Sequence, residues 1–270
     1  MICFVGAGSG APDLITVRGL RLLRKADLVI YAGSLVNPEL LSETKKGCIC
    51  RNSAEMTLEE VIAAMEDAER RGLFTVRLHT GDPSLYGAVR EQMDALKARN
   101  IPFSICPGVS SFLAAAADLQ CEYTLPGVSQ TLIITRLAGR TPVPEGESLE
   151  SLASHQASMV IFLSAGKAEE VAASLIRGGY SGETPAAIAF RVGYPDETLI
   201  RCRLSDLGKK AAEHGITKTA LLLVGGFLGD SYDRSKLYDP AFATGYRPAS
   251  DPADLDRAGS GAGTDPAKGS

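Results

Sequence analysis

The sequence has few of the residues that mark secreted, metal-binding or nucleic-acid-binding proteins. Its 270 residues include no tryptophan and only three histidines. The six cysteines form no Cys-x-x-Cys pair, so no zinc-site spacing is present, and reduced thiols in a cytoplasmic protein are expected. Lysine and arginine form no block, and the net charge is -4. Because phosphate neutralisation needs a concentrated basic face, nucleic acid is not an expected partner.

Long apolar segments are missing as well. Runs such as Ala220–Val224 are far shorter than the ~18 apolar residues that span a bilayer. No basic segment precedes an apolar stretch at the N-terminus, so we expect a first strand there and not a signal peptide. Hydrophobic residues make up 45% of the chain and charged residues 22%, as in ordinary globular proteins. We therefore expect a cytoplasmic protein with no metal and no membrane segment.

Strand-like and helix-like segments alternate in the first half of the chain. Strands are predicted over Ile2–Gly6, Ala26–Tyr31, Leu73–Leu78 and Pro102–Cys106, and helices over Val17–Lys25, after Thr57 and over Ser110–Leu119. The helix after Thr57 begins with a capping box, Thr57-Leu-Glu-Glu60, and should end at Gly72. Alternation of this kind predicts parallel βαβ units.

The pattern restarts after the turn Tyr123–Gly127. Further strands are predicted over Gln130–Thr135, Met159–Leu163, Ala186–Phe190, Glu197–Arg203 and Ala220–Gly225, and helices over Lys167–Arg177 and Ser205–His214. The third and fourth of these strands should pair as an antiparallel hairpin. The predicted fold class is α/β, with two α/β domains over residues 1–125 and 126–247.

Residues 248–270 differ in composition from the rest of the chain. Fifteen of these 23 residues are Pro, Gly, Ala or Ser, and Leu255 is the only large aliphatic residue. Such a segment buries too little apolar surface to offset the entropy of ordering, so the sequence predicts a disordered tail.

Deletion of residues 248–270 should leave the melting temperature nearly unchanged, because it removes almost no apolar surface. Calorimetric melting of the full-length and shortened chains tests this expectation. A drop of many degrees would mean that the tail packs against the folded part of the chain.

A glycine-rich segment follows the first predicted strand. Gly6-Ala-Gly8-Ser-Gly10-Ala fits the G-x-G-x-x-A pattern of dinucleotide-binding folds. Pro12 and Asp13 interrupt the place where the pyrophosphate-binding helix should begin, and no acidic residue ends the second strand to hold a ribose. Asp27, at the start of that strand, is interpreted as a cap or a solvated charge. The segment is therefore either part of an NAD-linked oxidoreductase or a tight turn that needs glycine.

Two further motifs follow predicted strands, at the sheet edge where open α/β folds bind ligands. Thr80-Gly-Asp-Pro-Ser-Leu-Tyr-Gly87 follows one strand, and Pro107-Gly-Val-Ser-Ser111 follows the next. Gly81 allows a ligand to approach the backbone, whereas Asp82 either accepts hydrogen bonds from a ligand hydroxyl or ammonium or caps a following helix, with Pro83 as its first residue. The helix after the second motif carries Ala114–Ala117, whose small side chains allow close packing against a neighbour or a flat ligand.

The chain resembles the tetrapyrrole methylase family, the class III S-adenosylmethionine-dependent methyltransferases. The resemblance lies in the order and spacing of Gly6–Gly19, Ala26–Tyr31 and the two later motifs. The resemblance covers residues 1–246. It implies two α/β domains with the methyl donor in the cleft between them, in a homodimer. Within the family, Tyr31–Val36 and Cys121–Arg136 look most like the methylases that act on a corrin-ring precursor in cobalamin synthesis.

The resemblance implies a set of site residues. The donor, S-adenosyl-L-methionine, should contact Thr80, Gly81, Asp82, Leu85, Ser110, Ser111, Leu163, Phe190 and Ala220. The tetrapyrrole should contact Gly8, Ser9, Tyr31, Tyr86 and Arg136, and its carboxylates have further candidate partners in Arg18, Arg140 and Arg191. The family's uroporphyrinogen-III methylases carry an acidic residue near Ala32, assigned there as a proton acceptor. Its absence argues against that first methylation step.

No catalytic residue is assigned. The ring nitrogens of a tetrapyrrole push electrons to the attacking carbon, so no strong base is needed and positioning, worth up to ~7–11 kcal/mol, can supply the catalysis. His79 is interpreted as a strand-end residue that is hydrogen-bonded to the backbone, and not as a base. Several alternatives stay open. The substrate could carry cobalt, or the protein could be another corrin-ring methylase. More distant alternatives are an NAD-linked oxidoreductase and a non-catalytic module that binds a nucleotide or a tetrapyrrole.

Overall fold

The computed structural model describes residues 1–250, so residues 251–270 of the predicted tail lie outside the described part. Two five-stranded sheets form its centre, one from residues 2–106 and the other from residues 132–224. Helices pack against both sheets, which confirms the predicted α/β class. The domain boundary at residue 125 stays a prediction.

The first sheet is entirely parallel. Its strands are β1 (Ile2–Gly6), β2 (Leu28–Tyr31), β3 (Ile49–Asn52), β4 (Thr75–His79) and β5 (Phe103–Cys106), in the spatial order β3-β2-β4-β1-β5. The helices between and after them are α1 (Val17–Leu23), α2 (Glu39–Ser42), α3 (Leu58–Arg70), α4 (Val89–Ala98) and α5 (Ser111–Asp118). Because all five strands run the same way, the loops after β4, β1 and β5 leave the sheet side by side at its carboxyl edge.

Local sequence signals account for α3 but not for β3. At the start of α3, Oγ1 of Thr57 accepts a hydrogen bond from the N–H of Glu60 at 3.3 Å, and Oε2 of Glu60 accepts one from the N–H of Thr57 at 2.7 Å. Gly72, with φ at +69°, follows the helix in the left-handed conformation, as predicted. Strand β3 was not predicted, because this edge strand is mostly exposed and its residues Ile-Cys-Arg-Asn show no apolar pattern.

The second sheet is mixed. Its strands are β6 (Leu132–Arg136), β7 (Ser158–Phe162), β8 (Pro185–Phe190), β9 (Thr198–Arg203) and β10 (Ala220–Val224), in the spatial order β6-β7-β10-β8-β9. Its helices are α6 (Leu149–Ala153), α7 (Ala168–Arg177) and α8 (Leu207–Glu213). The predicted antiparallel hairpin of β8 and β9 is confirmed, whereas β6 and β7 pair in parallel. Strand β10 lies between β7 and β8 and is antiparallel to both.

The two faces of the second sheet are buried by different parts of the chain. One face packs against α7 and α8 in a cluster that includes Ile188 and Leu222. The other face packs against α5, where Ala114 and Ala115 share a cluster with Leu223. The small side chains of α5 therefore allow close packing against a neighbouring sheet, which was one of the two interpretations of this helix.

An arginine fastens the C-terminal end of α5 to the second sheet. The guanidinium of Arg201, on β9, donates to the carbonyl oxygen of Leu119, directly after α5, and to that of Leu228 at 2.9 Å. The carbonyl groups at a helix C-terminus have no partners within the helix and carry partial negative charge, so a cation is favourable there. Arg201 therefore joins the two halves of the chain.

Replacement of Arg201 with Met should lower the melting temperature by roughly 2–6 °C, because two charge-assisted hydrogen bonds, together worth about 1–2 kcal/mol at an exposed position, are lost. Arg203→Met on the same strand is the matched control, since its ion pair with Glu183 is exposed and should contribute little. Thermal unfolding followed by circular dichroism measures both. Equal melting temperatures of the two variants would contradict a role for Arg201 in joining the halves.

Candidate active site

Three glycine-containing loops meet at the carboxyl edge of the first sheet. The N–H of Gly8 donates to the oxygen of Gly81 at 3.2 Å, and the N–H of Gly81 donates to the oxygen of Gly8 at 2.8 Å. A Cβ atom on Gly6 would lie 2.5 Å from the oxygen of Gly81 and 2.6 Å from Cα of Gly108. The loops after β1, β4 and β5 thus touch through backbone atoms, and no side chain fits between them.

Asp82 fastens two of these loops together. Its Oδ2 accepts a hydrogen bond from the N–H of Gly108 at 2.8 Å, and its Oδ1 accepts from the backbone N–H of Ser84 at 2.8 Å and from the Ser84 hydroxyl. Burial raises the pKa of this carboxyl, but the hydrogen bonds from Ser84 and Gly108 outweigh burial and leave the pKa below its usual value. The predicted helix after Asp82 is wrong, because residues 83–86 form a turn and α4 begins only at Val89, so Asp82 closes a turn instead.

The predicted donor residues of the first sheet lie together at this edge. A Cβ atom on Gly81 would lie 3.4 Å from Cα of Ser110, so the two donor motifs are in contact. Ser110 is buried directly before α5, and Ser111 is the first residue of that helix. Thr80 is exposed after β4, and Leu85 is half-buried in the turn that follows.

The predicted donor residues of the second sheet also share one edge. Phe190 at the end of β8 and Ala220 at the start of β10 are paired in register, and Leu163 directly follows β7. Leu163 is 74% exposed and has a left-handed backbone, with φ at +54°. Tyr86 of the first motif approaches this edge, since its ring centroid lies 5.3 Å from that of Phe162. The two predicted sets of donor residues therefore lie on neighbouring edges of the two sheets.

A loop of the second sheet, residues 191–196, covers the first glycine segment. The hydroxyl of Ser9 donates to the oxygen of Val192 at 3.2 Å, and the Tyr194 hydroxyl donates to the oxygen of Leu35 at 3.0 Å. Ser9 and Gly8 are both buried, so the Ser9 hydroxyl is engaged within the protein. Their contact with a tetrapyrrole stays a prediction. Val192 and Tyr194 were not predicted as site residues, because no local pattern indicates contacts between such distant segments.

Arg136 holds its own loop. Its guanidinium donates to the oxygen of Leu137 at 3.3 Å, of Thr141 at 3.1 Å and of Pro142 at 2.7 Å. Burial raises the pKa of the Tyr86 hydroxyl, and the positive charge of Arg136 opposes that rise. With five N–H donors, Arg136 retains capacity for a carboxylate. Tyr31, the last residue of β2, is half-buried.

The other candidate arginines differ in their surroundings. Arg191 forms an ion pair with Asp196 at 2.6 Å, and its guanidinium lies 4.4 Å from the ring centroid of Tyr194. Arg18 and Arg140 are exposed. The charge of Arg191 is thus already paired, whereas Arg18 and Arg140 are open to solvent.

His79 is the last residue of β4, but its ring makes no backbone hydrogen bond, so that part of the interpretation is wrong. The ring is buried, stacks on Phe4 with 6.1 Å between centroids, and leaves Nε2 without a partner. The neighbouring groups are an aromatic ring and the guanidinium of Arg77, and neither offers a carbonyl. Burial, aided by the charge of Arg77, lowers the pKa of His79 to about 3. The imidazole is therefore neutral at physiological pH.

The first glycine segment lacks the geometry of a dinucleotide-binding fold. A short 3-10 turn covers Pro12–Leu14, and α1 begins only after Thr16, whose hydroxyl accepts from the N–H of Gly19. No helix N-terminus therefore adjoins the glycines. Asp27 is neither a helix cap nor simply solvated, because its carboxylate accepts from the N–H of Phe74 at 2.8 Å and pairs with Lys45 at 2.6 Å.

Residues 1–250 offer no sign of two other kinds of site. Within that range, no group of three or more His, Cys, Asp or Glu side chains is arranged to hold a metal ion. No helix of the same range is both long and apolar enough to cross a membrane. A cavity of about 670 Å³ lies elsewhere, between β3 and α3, and contains none of the predicted site residues.

Comparison with known proteins identifies close relatives along nearly the whole chain. The chain is 50% identical over 247 residues to the cobalt-precorrin-4 C(11)-methyltransferase of Methanocaldococcus jannaschii, which covers 91% of this chain and 95% of that protein. It is 44% identical over 248 residues to the precorrin-4 C(11)-methyltransferase of Pseudomonas aeruginosa, with 92% and 98% covered.

Solved structures give the same result. The X-ray structure of a cobalt precorrin-4 methyltransferase superimposes with a TM-score of 0.83 at 44% identity, over 85% of this chain and 96% of that one. A uroporphyrin-III C-methyl transferase from Thermus thermophilus, complexed with S-adenyl homocysteine, shares the fold with a TM-score of 0.68 at 24% identity, over 84% and 92%. Residues 1–208 match the sequence model of the Tetrapyrrole (Corrin/Porphyrin) Methylases. The chain belongs to the tetrapyrrole methylase family.

Proposed function

We propose that this protein transfers a methyl group from S-adenosyl-L-methionine to ring carbon 11 of precorrin-4, which gives precorrin-5 and S-adenosyl-L-homocysteine in cobalamin biosynthesis. One observation carries the proposal: relatives named for this reaction align over about nine-tenths of the chain at 40–50% identity. Some of these relatives are named for cobalt-precorrin-4 and others for precorrin-4, so the cobalt-bearing substrate is the second candidate.

The first-sheet edge has the features that a nucleoside-like donor needs. Gly81 has no side chain and lies against Cα and the hydroxyl of Ser110, so a flat ligand can approach the main chain beside these two residues. Thr80 offers an exposed hydroxyl, and Asp82 remains ionised beside the loops. When bound, the donor supplies a methyl group that is attached to a sulfonium sulfur. The sulfur leaves as a neutral thioether as the new carbon–carbon bond forms. Thr80, Gly81, Asp82, Leu85, Ser110 and Ser111 would hold the donor, with Leu163, Phe190 and Ala220 across the cleft.

The residues of the site position the reactants and do not transfer protons. His79, the histidine beside the motif, is neutral, buried and packed on Phe4, so it does not serve as a base. The ring nitrogens of the substrate supply the electron density, and alignment of carbon and methyl supplies the rate. Tyr31, Tyr86 and Arg136, with Gly8 and Ser9, are proposed to line the tetrapyrrole side. We further propose a cytoplasmic homodimer, and light scattering on the purified protein tests the dimer.

An NAD-linked oxidoreductase is disfavoured, because the glycine segment lacks a helix N-terminus for a pyrophosphate. Calorimetric titration with S-adenosylhomocysteine and with NADH separates the two functions. Binding of S-adenosylhomocysteine without binding of NADH is expected, and the reverse result would contradict the proposed function.

A further inference from the structure

A buried arginine lies at the centre of the first sheet, and it has no acidic partner among residues 1–250. Arg77, on β4, is only 6% exposed. Its Nε donates to Oε1 of Gln92 at 3.0 Å, and its Nη1 donates to the oxygen of Ile30 at 3.1 Å. Burial lowers the pKa of Arg77 to about 10. A buried cation without a carboxylate loses much of its hydration, and an apolar side chain would fill the same space without that cost. Stability alone therefore does not explain an arginine at this position.

The hydrogen bonds continue from Arg77 to the donor motif. Gln92, on α4, is 5% exposed, and its Nε2 donates to the oxygen of Ala88 at 2.9 Å. Ala88 is the last residue of the segment between β4 and α4, residues 80–88, which includes Asp82, Leu85 and Tyr86 of the proposed site. Gln92 is thus the link between a fixed group inside the sheet and the end of a ligand-binding loop.

The end of this segment has a conformation that needs support. Tyr86 and Ala88 both have left-handed backbones, with φ at +54° and +48°. A Cβ atom on Gly87 would lie 3.1 Å from the carbonyl carbon of Pro83, so the turn is closed on itself. Non-glycine residues keep such conformations only where their surroundings enforce them. No side chain caps α4 at Ala88, and the amide of Gln92 is the side-chain group that holds the Ala88 carbonyl.

We propose that Arg77 and Gln92 are positioning residues that hold residues 80–88 in their ligand-binding conformation and so set the affinity for the methyl donor. The inference rests on the proposed function of this loop. Arg77 anchors Gln92 to the sheet, and Gln92 fixes the Ala88 carbonyl. Neither residue is among the proposed donor contacts.

The test replaces the polar pair with apolar side chains of similar size. R77M/Q92M removes the buried charge and all three hydrogen bonds, so its melting temperature should equal or exceed that of the parent. Its affinity for S-adenosylhomocysteine, measured by calorimetry, should fall roughly five- to tenfold, the loss expected when one net hydrogen bond no longer orders the loop. Amide exchange of residues 80–88 should become faster, while that of β4 stays slow.

Two single variants complete the experiment. Q92E keeps an acceptor for Arg77 but places a carboxylate oxygen against the Ala88 carbonyl, so it should lower the affinity by a similar factor. If R77M/Q92M does not fold, Q92E decides the question. R90M makes the same Arg-to-Met change at an exposed position of α4, where the arginine pairs with Asp94, and should bind like the parent.

The outcomes separate the two proposals. A parent protein that does not bind S-adenosylhomocysteine contradicts the proposed function of the site. A parent that binds, together with folded R77M/Q92M or Q92E that binds equally tightly, overturns the positioning role and leaves the proposed function intact.

Discussion

Gly108→Ala should lower the affinity for S-adenosylhomocysteine by about 100-fold. The added methyl group would overlap the oxygen of Gly81 and would lie 2.7 Å from Cα of Gly6. These neighbours are backbone atoms of two other loops, held by the sheet and by the Gly8–Gly81 hydrogen bonds, so they cannot move aside as a flexible side chain would. Forcing a methyl group into a packed site typically costs about 1–3 kcal/mol, and the upper end corresponds to about 100-fold in affinity.

Gly139→Ala is the matched control for this prediction. Gly139 lies in an exposed loop of the second half, and a Cβ atom there would have no neighbour within 4 Å. Isothermal titration calorimetry on both variants, after circular dichroism has established that they fold, measures the difference. If the Gly108 variant folds and binds the ligand as tightly as the Gly139 variant does, the three-loop junction is not the donor site.

Asp82→Asn should lower the same affinity roughly 10- to 150-fold, the effect of about 1.5–3 kcal/mol for hydrogen bonds to a charged group. The amide has one oxygen, which can accept from only one side of the contact. Its NH2 group then faces the backbone N–H of either Gly108 or Ser84, and two donors cannot form a hydrogen bond. The two loops would then separate at this point. Ser84→Ala removes the hydroxyl alone and should cost clearly less, because the Gly108 contact remains.

The same carboxylate predicts an acid dependence. The pKa of Asp82 in the folded protein lies below the usual 3.8. The ionised carboxylate therefore stabilises the loop junction fully above pH 3.8, and this stabilisation is lost as the pH falls through the lower pKa of the folded protein. From pH 5 to pH 8 this group should cause no change in binding. As the pH falls through that lower pKa, binding by the parent should weaken while that of Asp82→Asn stays flat over the range where both remain folded. Parallel curves for the two proteins would contradict the role of the ionised carboxylate.

Elements with a local cause could be predicted from the sequence. The capping box at Thr57 and the glycine at 72 define α3 within a few residues, and the polar turn between β8 and β9 defines their hairpin. Strand β3 has no such signal, because an exposed edge strand needs no apolar alternation. The insertion of β10 between β7 and β8 depends on pairing between distant segments, which no local pattern encodes.

The site also has features that could be predicted from the sequence and features that could not. The motifs after β4 and β5 could be located because parallel strands place their carboxyl ends at one edge. The partners of individual groups could not be located. Asp82 contacts Gly108, 26 residues away, and Ser9 contacts Val192, 183 residues away. The expected backbone bond of His79 is missing for a related reason, since the ring faces Phe4, which belongs to another strand.

The most direct test of the proposed function is mass spectrometry after incubation of the enzyme with precorrin-4 and methyl-labelled S-adenosylmethionine without oxygen. The account predicts one labelled methyl group on precorrin-4, or on its cobalt-bearing form, with an equal amount of S-adenosylhomocysteine, and little label on uroporphyrinogen III. Label on uroporphyrinogen III but not on either form of precorrin-4 would move the protein to another branch of the family. No label in any of these tetrapyrroles would contradict the methyltransferase function itself.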